Sequence, residues 1–195
     1  MKNTIYLLSK DLDLYCNVIE FAPHYIVYNK LKYTLIISNT KSDETLIIHP
    51  EERHQFNFFG YGENIEILIS IEDKTDDWND SLPFSIGNDN LITVQLLNFQ
   101  KSKRKFINIS SKLFNIITVL TFYEAKINNS KLRVDNYSSN ISMKVYQENY
   151  QNNQIFIEPN SKTIFAWAVP NKPNIIRFNF GSGKLISYPI MISHS

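Results

Sequence analysis

The chain has 195 residues, a formal net charge of +1 and nearly equal numbers of acidic and basic side chains. That balance gives no electrostatic reason to expect nucleic acid or an anionic membrane surface as the main partner. Cys16 is the single cysteine, which excludes an internal disulfide framework and a multi-thiolate zinc site.

The opening "MKNTIYLLSKDLDLYC" is interrupted by Lys10, Asp11 and Asp13 before an apolar signal-peptide core can form. No run approaches the ~18 apolar residues that span a bilayer, so a soluble, cytosolic chain is expected. Runs rich in Ile, Val, Tyr, Phe and Thr then follow one another. In order they are "TIYLLS", "LYCNVIEF", "HYIVYN", "YTLIISN", "TLIIHP", "NIEILISIE", "LITVQLLN", "KFINIS", "LFNIITVLTFYEA", "KLRVDN", "ISMKVYQ", "NQIFIEP", "TIFAWAV", "NIIRFNF" and "KLISYPIMI". Asn, Asp, Ser, Lys and Pro clusters separate them, and helical periodicity is almost absent. Such spacing predicts an all-β fold of tandem β-sandwich repeats. With only five glycines, Asn and Asp must supply most of the tight-turn geometry.

An internal repeat organises these strands. "YIVYNKLKYTLIIS" (25–38) lies on "LRVDNYSSNISMKV" (132–145), matching Val27 to Val134 and Asn29 to Asn136. "LIIHPEERHQFNFF" (46–59) lies on "IFIEPNSKTIFAWA" (155–168), pairing Pro50 with Pro159, Phe56 with Phe165 and Phe58 with Trp167. "ENIEILISI" (63–71) then meets "PNIIRFNFG" (173–181). Two repeats are therefore expected, at 23–127 and 128–195, with 1–22 as strands from the tail of a preceding repeat. The second has nothing equivalent to 91–126, and the chain reads as a piece of a longer array.

The alternation of "KLRVDN" puts Leu132, Val134 and Asn136 on one face of a strand, and "HYIVYN" does the same for Tyr25, Val27 and Asn29. Each repeat thus ends a core-facing row on an amide that must find partners, and each Asn is expected to pin a loop. Asp73, Asp76, Asp77 and Asp80 cluster in "EDKTDDWND", but their spacing fits no EF-hand-like loop and the second repeat lacks them, so a solvated loop is expected. The four histidines show no metal-ligand spacing. No nucleophile elbow, Gly-rich phosphate loop or defined carboxylate pair is present, so neither a catalytic residue nor a cofactor is expected. "KSKRK" (101–105) reads as a solvated turn.

The segments "APHYIVYNKLKYTLII", "IIHPEERHQFNF", "DDWNDSLPFSIG", "LRVDNYSSNISMKVYQEN" and "IEPNSKTIFAWAVPNKPNIIRF" together resemble the adaptor-binding (VAB) domain of the Vps-thirteen family of bridge-like lipid-transfer proteins. Members often have "AWDEP" where this chain has "AWAVP" (166–170). The resemblance implies tandem β-sandwich repeats, each with a characteristic Asn. It implies a non-catalytic module, joined to the remainder of a parent lipid-transfer protein, that captures Pro-x-Pro motifs of organelle adaptors. Its expected place is the cytoplasmic side of membrane contact sites of endosome, mitochondrion or vacuole. The second repeat is the candidate receptor. "NISMKVYQ" is read as an edge strand, with Ile141, Met143 and Val145 facing one way, and Tyr146, Phe165 and Trp167 as proline-stacking surfaces near Asn136. Phe165 and Trp167 read equally well as core. The competing class is a carbohydrate- or calcium/phospholipid-binding sandwich that uses Trp78 and the acidic loop.

Overall fold

A computed structural model describes residues 25–41, 43–56, 66–85, 91–98, 100–115, 117–170, 172, 174–180, 185–186 and 190–191. The expected strands before residue 23 lie outside the described residues.

The first group of strands is β1 (Tyr25–Asn29), β2 (Thr34–Asn39), β3 (Thr45–Ile48), β4 (Arg53–Phe56), β5 (Glu66–Asp73), β6 (Asp76–Asp77) and β7 (Phe84–Ser85). An antiparallel meander follows: β8 (Leu91–Asn98), β9 (Lys103–Phe114) and β10 (Ile117–Glu124). The second group is β11 (Leu132–Asn136), β12 (Met143–Gln147), β13 (Ile155–Ile157), β14 (Ser161–Phe165), β15 (Ile175–Phe180), β16 (Leu185–Ile186) and β17 (Ile190–Met191).

In the first sandwich the sheet β4-β1-β10-β9-β8 faces the sheet β3-β2-β5-β6, with β7 also on β5. Strict alternation fills the space between them. Val27, Val94, Ile107 and Leu120 come from one sheet, and Leu35, Ile37, Ile67 and Ile69 from the other. Each such side chain contributes roughly 1.5–3 kcal/mol by leaving water. In the second group β11 pairs with β14, and β12 lies inside the sheet β13-β12-β15-β16. Met143, Val145, Ile155, Ile157, Phe165, Trp167 and Ile176 form its core.

The meander serves both cores. Ile92, Val94 and Leu96 of β8 enter the first core, yet Thr93 and Gln95 on the opposite row are buried as well. Phe106, on the back of β9, packs against the second core. Polar bonds bind the same face. Gln95 Nε2 donates to Asn153 O at 3.3 Å, Thr93 Oγ1 to Asn108 Oδ1 at 2.7 Å, and Asn108 Nδ2 to Asn129 O at 3.0 Å. The Arg104 guanidinium donates to the Gln154 carbonyl.

Three expectations need correction. "NISMKVYQ" does not form an edge, because β12 bonds to β13 on one side and β15 on the other. "KFINIS" and the start of "LFNIITVLTFYEA" are one strand, β9, and the chain turns where Asn115 takes a positive φ of 54°. The repeat alignment also slips by one residue twice. Leu35 pairs with Ile48 and Ile71, and Met143 pairs with Ile157 and Phe180, so Leu35 belongs on Met143 rather than Ser142. By the same pairing Ile69 belongs on Phe178. A one-residue slip sends every side chain to the wrong face, so burial and pairing fix the register more sharply than similarity does.

Candidate functional site

The two asparagines do equivalent work. Asn29 is wholly buried; its Nδ2 donates to Tyr33 O and Ile48 O, both at 2.9 Å, and its Oδ1 accepts from Leu31 N at 2.9 Å. Asn136 Nδ2 donates to Ile141 O at 2.8 Å and Glu158 O at 2.9 Å, while its Oδ1 accepts from Ser138 N at 3.1 Å. Each amide ties the loop leaving the first strand of its sandwich to the end of the third. No backbone group of that loop could supply both donors and the acceptor from one point.

The acidic loop and the basic run neutralise each other. Lys101 Nζ lies 2.5 Å and Lys103 Nζ 3.0 Å from the Asp76 carboxylate. Lys105 Nζ lies 3.1 Å from Asp73 Oδ2, with both side chains more than 90% buried. The same ammonium sits 3.5 Å from the Tyr33 ring centroid and 4.5 Å from that of Trp78, whose indole donates to Asp73 Oδ2 at 3.2 Å. Burial alone would raise the Asp73 carboxyl. The bonds from Thr75, Lys105 and Trp78 outweigh it and hold the group well below the usual carboxylate range. Lys101, Lys103, Lys74 and Asp80 are exposed as expected, but Lys105 and Asp73 form a buried pair that the expectation of solvated stretches did not include. Among the described residues no group of three His, Cys, Asp or Glu side chains could hold a metal.

The feature that distinguishes the two sandwiches is an edge. β1 has β4 on one side and β10, parallel to it, on the other, with Val27 opposite Leu120 and Asn29 opposite Phe122. Its counterpart β11 pairs, among the described residues, with β14 alone. The cores differ accordingly. Val27 and Ile69 are fully buried, but their counterparts Val134 and Phe178 are only half-buried. Phe180 is 38% exposed where Ile71 is 5%. An apolar margin therefore runs beside β11. At its start a small recess opens between the sandwiches, lined by Leu91, Ile92, Leu132, Phe165, Trp167 and Pro170. On the outer face Arg133 holds Asp135 by two bonds of 2.7 and 2.9 Å, and Tyr137 Oη donates to the same carboxylate at 3.1 Å. The Arg133 bonds come first among the causes that lower the Asp135 pKa.

The residues expected to form the peptide surface are not all on a surface. Met143, Val145, Phe165 and Trp167 are buried, with Phe165 and Trp167 meeting edge to face at 5.1 Å. They are core because β12 is central and β14 covers it, although Trp167 also lines the recess. Asn136 is buried in its loop network, Tyr146 is half-buried on the outer face of β12, and Ile141 is 47% exposed. That β11 pairs with β14 alone among the described residues escaped the sequence reading.

Among the described residues no helix is long and apolar enough to cross a membrane. Comparison with curated proteins finds no match. The family model described as vacuolar-sorting associated protein 13, adaptor binding domain, matches residues 10–174. The chain belongs to this adaptor-binding domain family and is a protein-interaction module of it.

Proposed function

We propose that the chain captures Pro-x-Pro linear motifs of organelle adaptors on the open edge of β11. In this reading it recruits a bridge-like lipid-transfer protein to membrane contact sites of endosome, mitochondrion or vacuole, from the cytoplasmic side. Residues 23–127 and 128–195 act as successive repeats, the first supplying the wall and the second the edge.

The observation that carries the reading is the contrast between β1 and β11. They have the same place, the same neighbour and the same terminal Asn, but β10 fills only the edge of β1. An extended peptide laid on β11 gains main-chain bonds and covers the half-buried Val134 and Phe178. Two prolines two residues apart put both missing donors on one side of the peptide and reduce its entropy loss on binding. A calcium- or carbohydrate-binding role is less well supported, because lysines already engage Asp73 and Asp76.

Calorimetric titration of the full chain with a Pro-x-Pro peptide tests this. Binding is expected, and Val134→Glu should abolish it while leaving the folded-state spectrum intact. Equal binding by the variant would place the peptide elsewhere. A calcium-dependent change in Trp fluorescence without peptide binding would overturn the reading.

A further inference from the structure

We infer that the turn joining β9 to β10 dips into an anionic lipid surface, with Leu113 and Phe114 at the acyl boundary and Lys112 among the headgroups. This contact lies in the first sandwich and does not depend on peptide capture at β11.

The hairpin outruns the strands beside it. Leu91, the first residue of β8, stands opposite Ser110, and Tyr25, the first of β1, stands opposite Thr118. Past these partners β9 and β10 continue as a two-stranded ladder, with Leu113 opposite Thr118 and Phe114 opposite Ile117. Ser111 to Phe114 carry it ~13 Å beyond Ser110, at ~3.3 Å a residue. Asn115, with its positive φ of 54°, closes the turn. The outer edges of such a ladder leave some main-chain groups unpaired. Entry is therefore shallow, within the ~5–10 Å of the headgroup boundary where water still reaches them.

Turns are ordinarily polar, but this one reads "KLFNII" (112–117). Leu113 is 71% exposed and Phe114 59%. The two side chains leave opposite faces of the ladder. Leu113 continues the row of Ile107 and Ile109 past the first core, and Phe114 continues the row of Phe106 on the back. A groove on a protein covers one face of a strand pair, whereas a lipid surface receives both faces of a tip at once. Charge favours an anionic surface. Lys112, exposed, shares the row of Phe114 one step back from the turn, and exposed Lys131 lines the recess that holds Leu91. From Lys101 to Tyr123 the sequence has no Asp or Glu. Asp43 and Glu44, at the same end, lie on the β2–β3 turn of the facing sheet, a layer ~10 Å away. The meander side, and not the facing sheet, therefore turns toward negative headgroups.

Vesicle flotation of the full chain tests this, with pure phosphatidylcholine and with about one-third phosphatidylserine added. The chain is expected to float with the anionic vesicles and only weakly with the neutral ones. Leu113→Ser combined with Phe114→Ser should lower that binding about tenfold, and Lys112→Gln several-fold. Both variants should keep the parent's unfolding midpoint, since all three side chains are exposed. Phe114→Trp should add a blue-shifted emission, quenched by lipids with brominated acyl chains, that the parent lacks. Failure of the parent to bind phosphatidylserine vesicles overturns the inference. Undiminished binding by the double Ser variant does so too, as does a Phe114→Trp variant that brominated lipid leaves unquenched. A dimer of the parent in solution that the double Ser variant abolishes would assign the tip to a second copy of the chain and overturn the lipid reading.

Discussion

Val27 and Val134 hold the same position in two sandwiches, and only Val27 is sealed. Leu120 stands opposite Val27 across a parallel ladder and leaves it no exposed surface, while Val134 has no described strand on that side and stays half-buried. Among the described residues the second sandwich has no strand in the place that β10 takes in the first.

Asn29→Ala and Asn136→Ala should each cost about 1–3 kcal/mol, because each strands buried loop carbonyls and an amide. Urea denaturation measures this. Asn136→Ala should also weaken peptide capture more than Asn29→Ala, since its loop leaves the open edge. Equal affinity for both variants and the parent would count against a binding site at β11.

Removing Lys105 should be costly. Lys105→Met leaves Asp73 buried without its counter-charge, a loss of about 3–5 kcal/mol for a pair of this kind. Thermal melts at neutral pH would detect it readily.

The same pair predicts an acid limb. The Asp73 carboxyl is depressed in the fold, while in the unfolded chain it has the ordinary value of about 3.9. Its contribution is therefore fully present above that unfolded value and is lost as pH falls toward the folded one. Asp73→Asn should flatten the fall in urea midpoint below about pH 4. An unchanged slope would mean that other carboxylates dominate.

Phe106 should matter to a sandwich it does not belong to. Phe106→Ala removes a ring that packs on the second core, at a cost near the lower end of the ~3–5 kcal/mol seen for core Phe. Residues 128–195 expressed alone lack that ring and the Gln95 and Arg104 contacts, and should show no cooperative unfolding by circular dichroism. A cooperatively folded fragment would refute the shared wall.

What was legible in the sequence was local. Alternation in "KLRVDN" and "ISMKVYQ" gave the inward rows, and the repeat placed Asn29 on Asn136. Position within a sheet was not legible, because it depends on partners far along the chain. β12 looked like an edge until β13 and β15 flanked it, and β11 looked ordinary until β10 was found on β1 alone. Charges misled for the same reason: Lys105 and Asp73 are 32 residues apart, so each run read alone looked solvated. The ungapped repeat slipped at β12 and β15, where single-residue differences are invisible to similarity but reverse the faces.

Strand β8, buried on both faces, gives the two repeats a common boundary, and stability in such an arrangement is a nearest-neighbour quantity. A ligand that binds only the folded second repeat lowers the free energy of every state in which that repeat is intact. Because Phe106, Gln95 and Arg104 tie that state to the meander, the gain extends to the first repeat. If β11 is the binding edge, its occupancy should raise the unfolding midpoint read at Trp78, which packs on the first core.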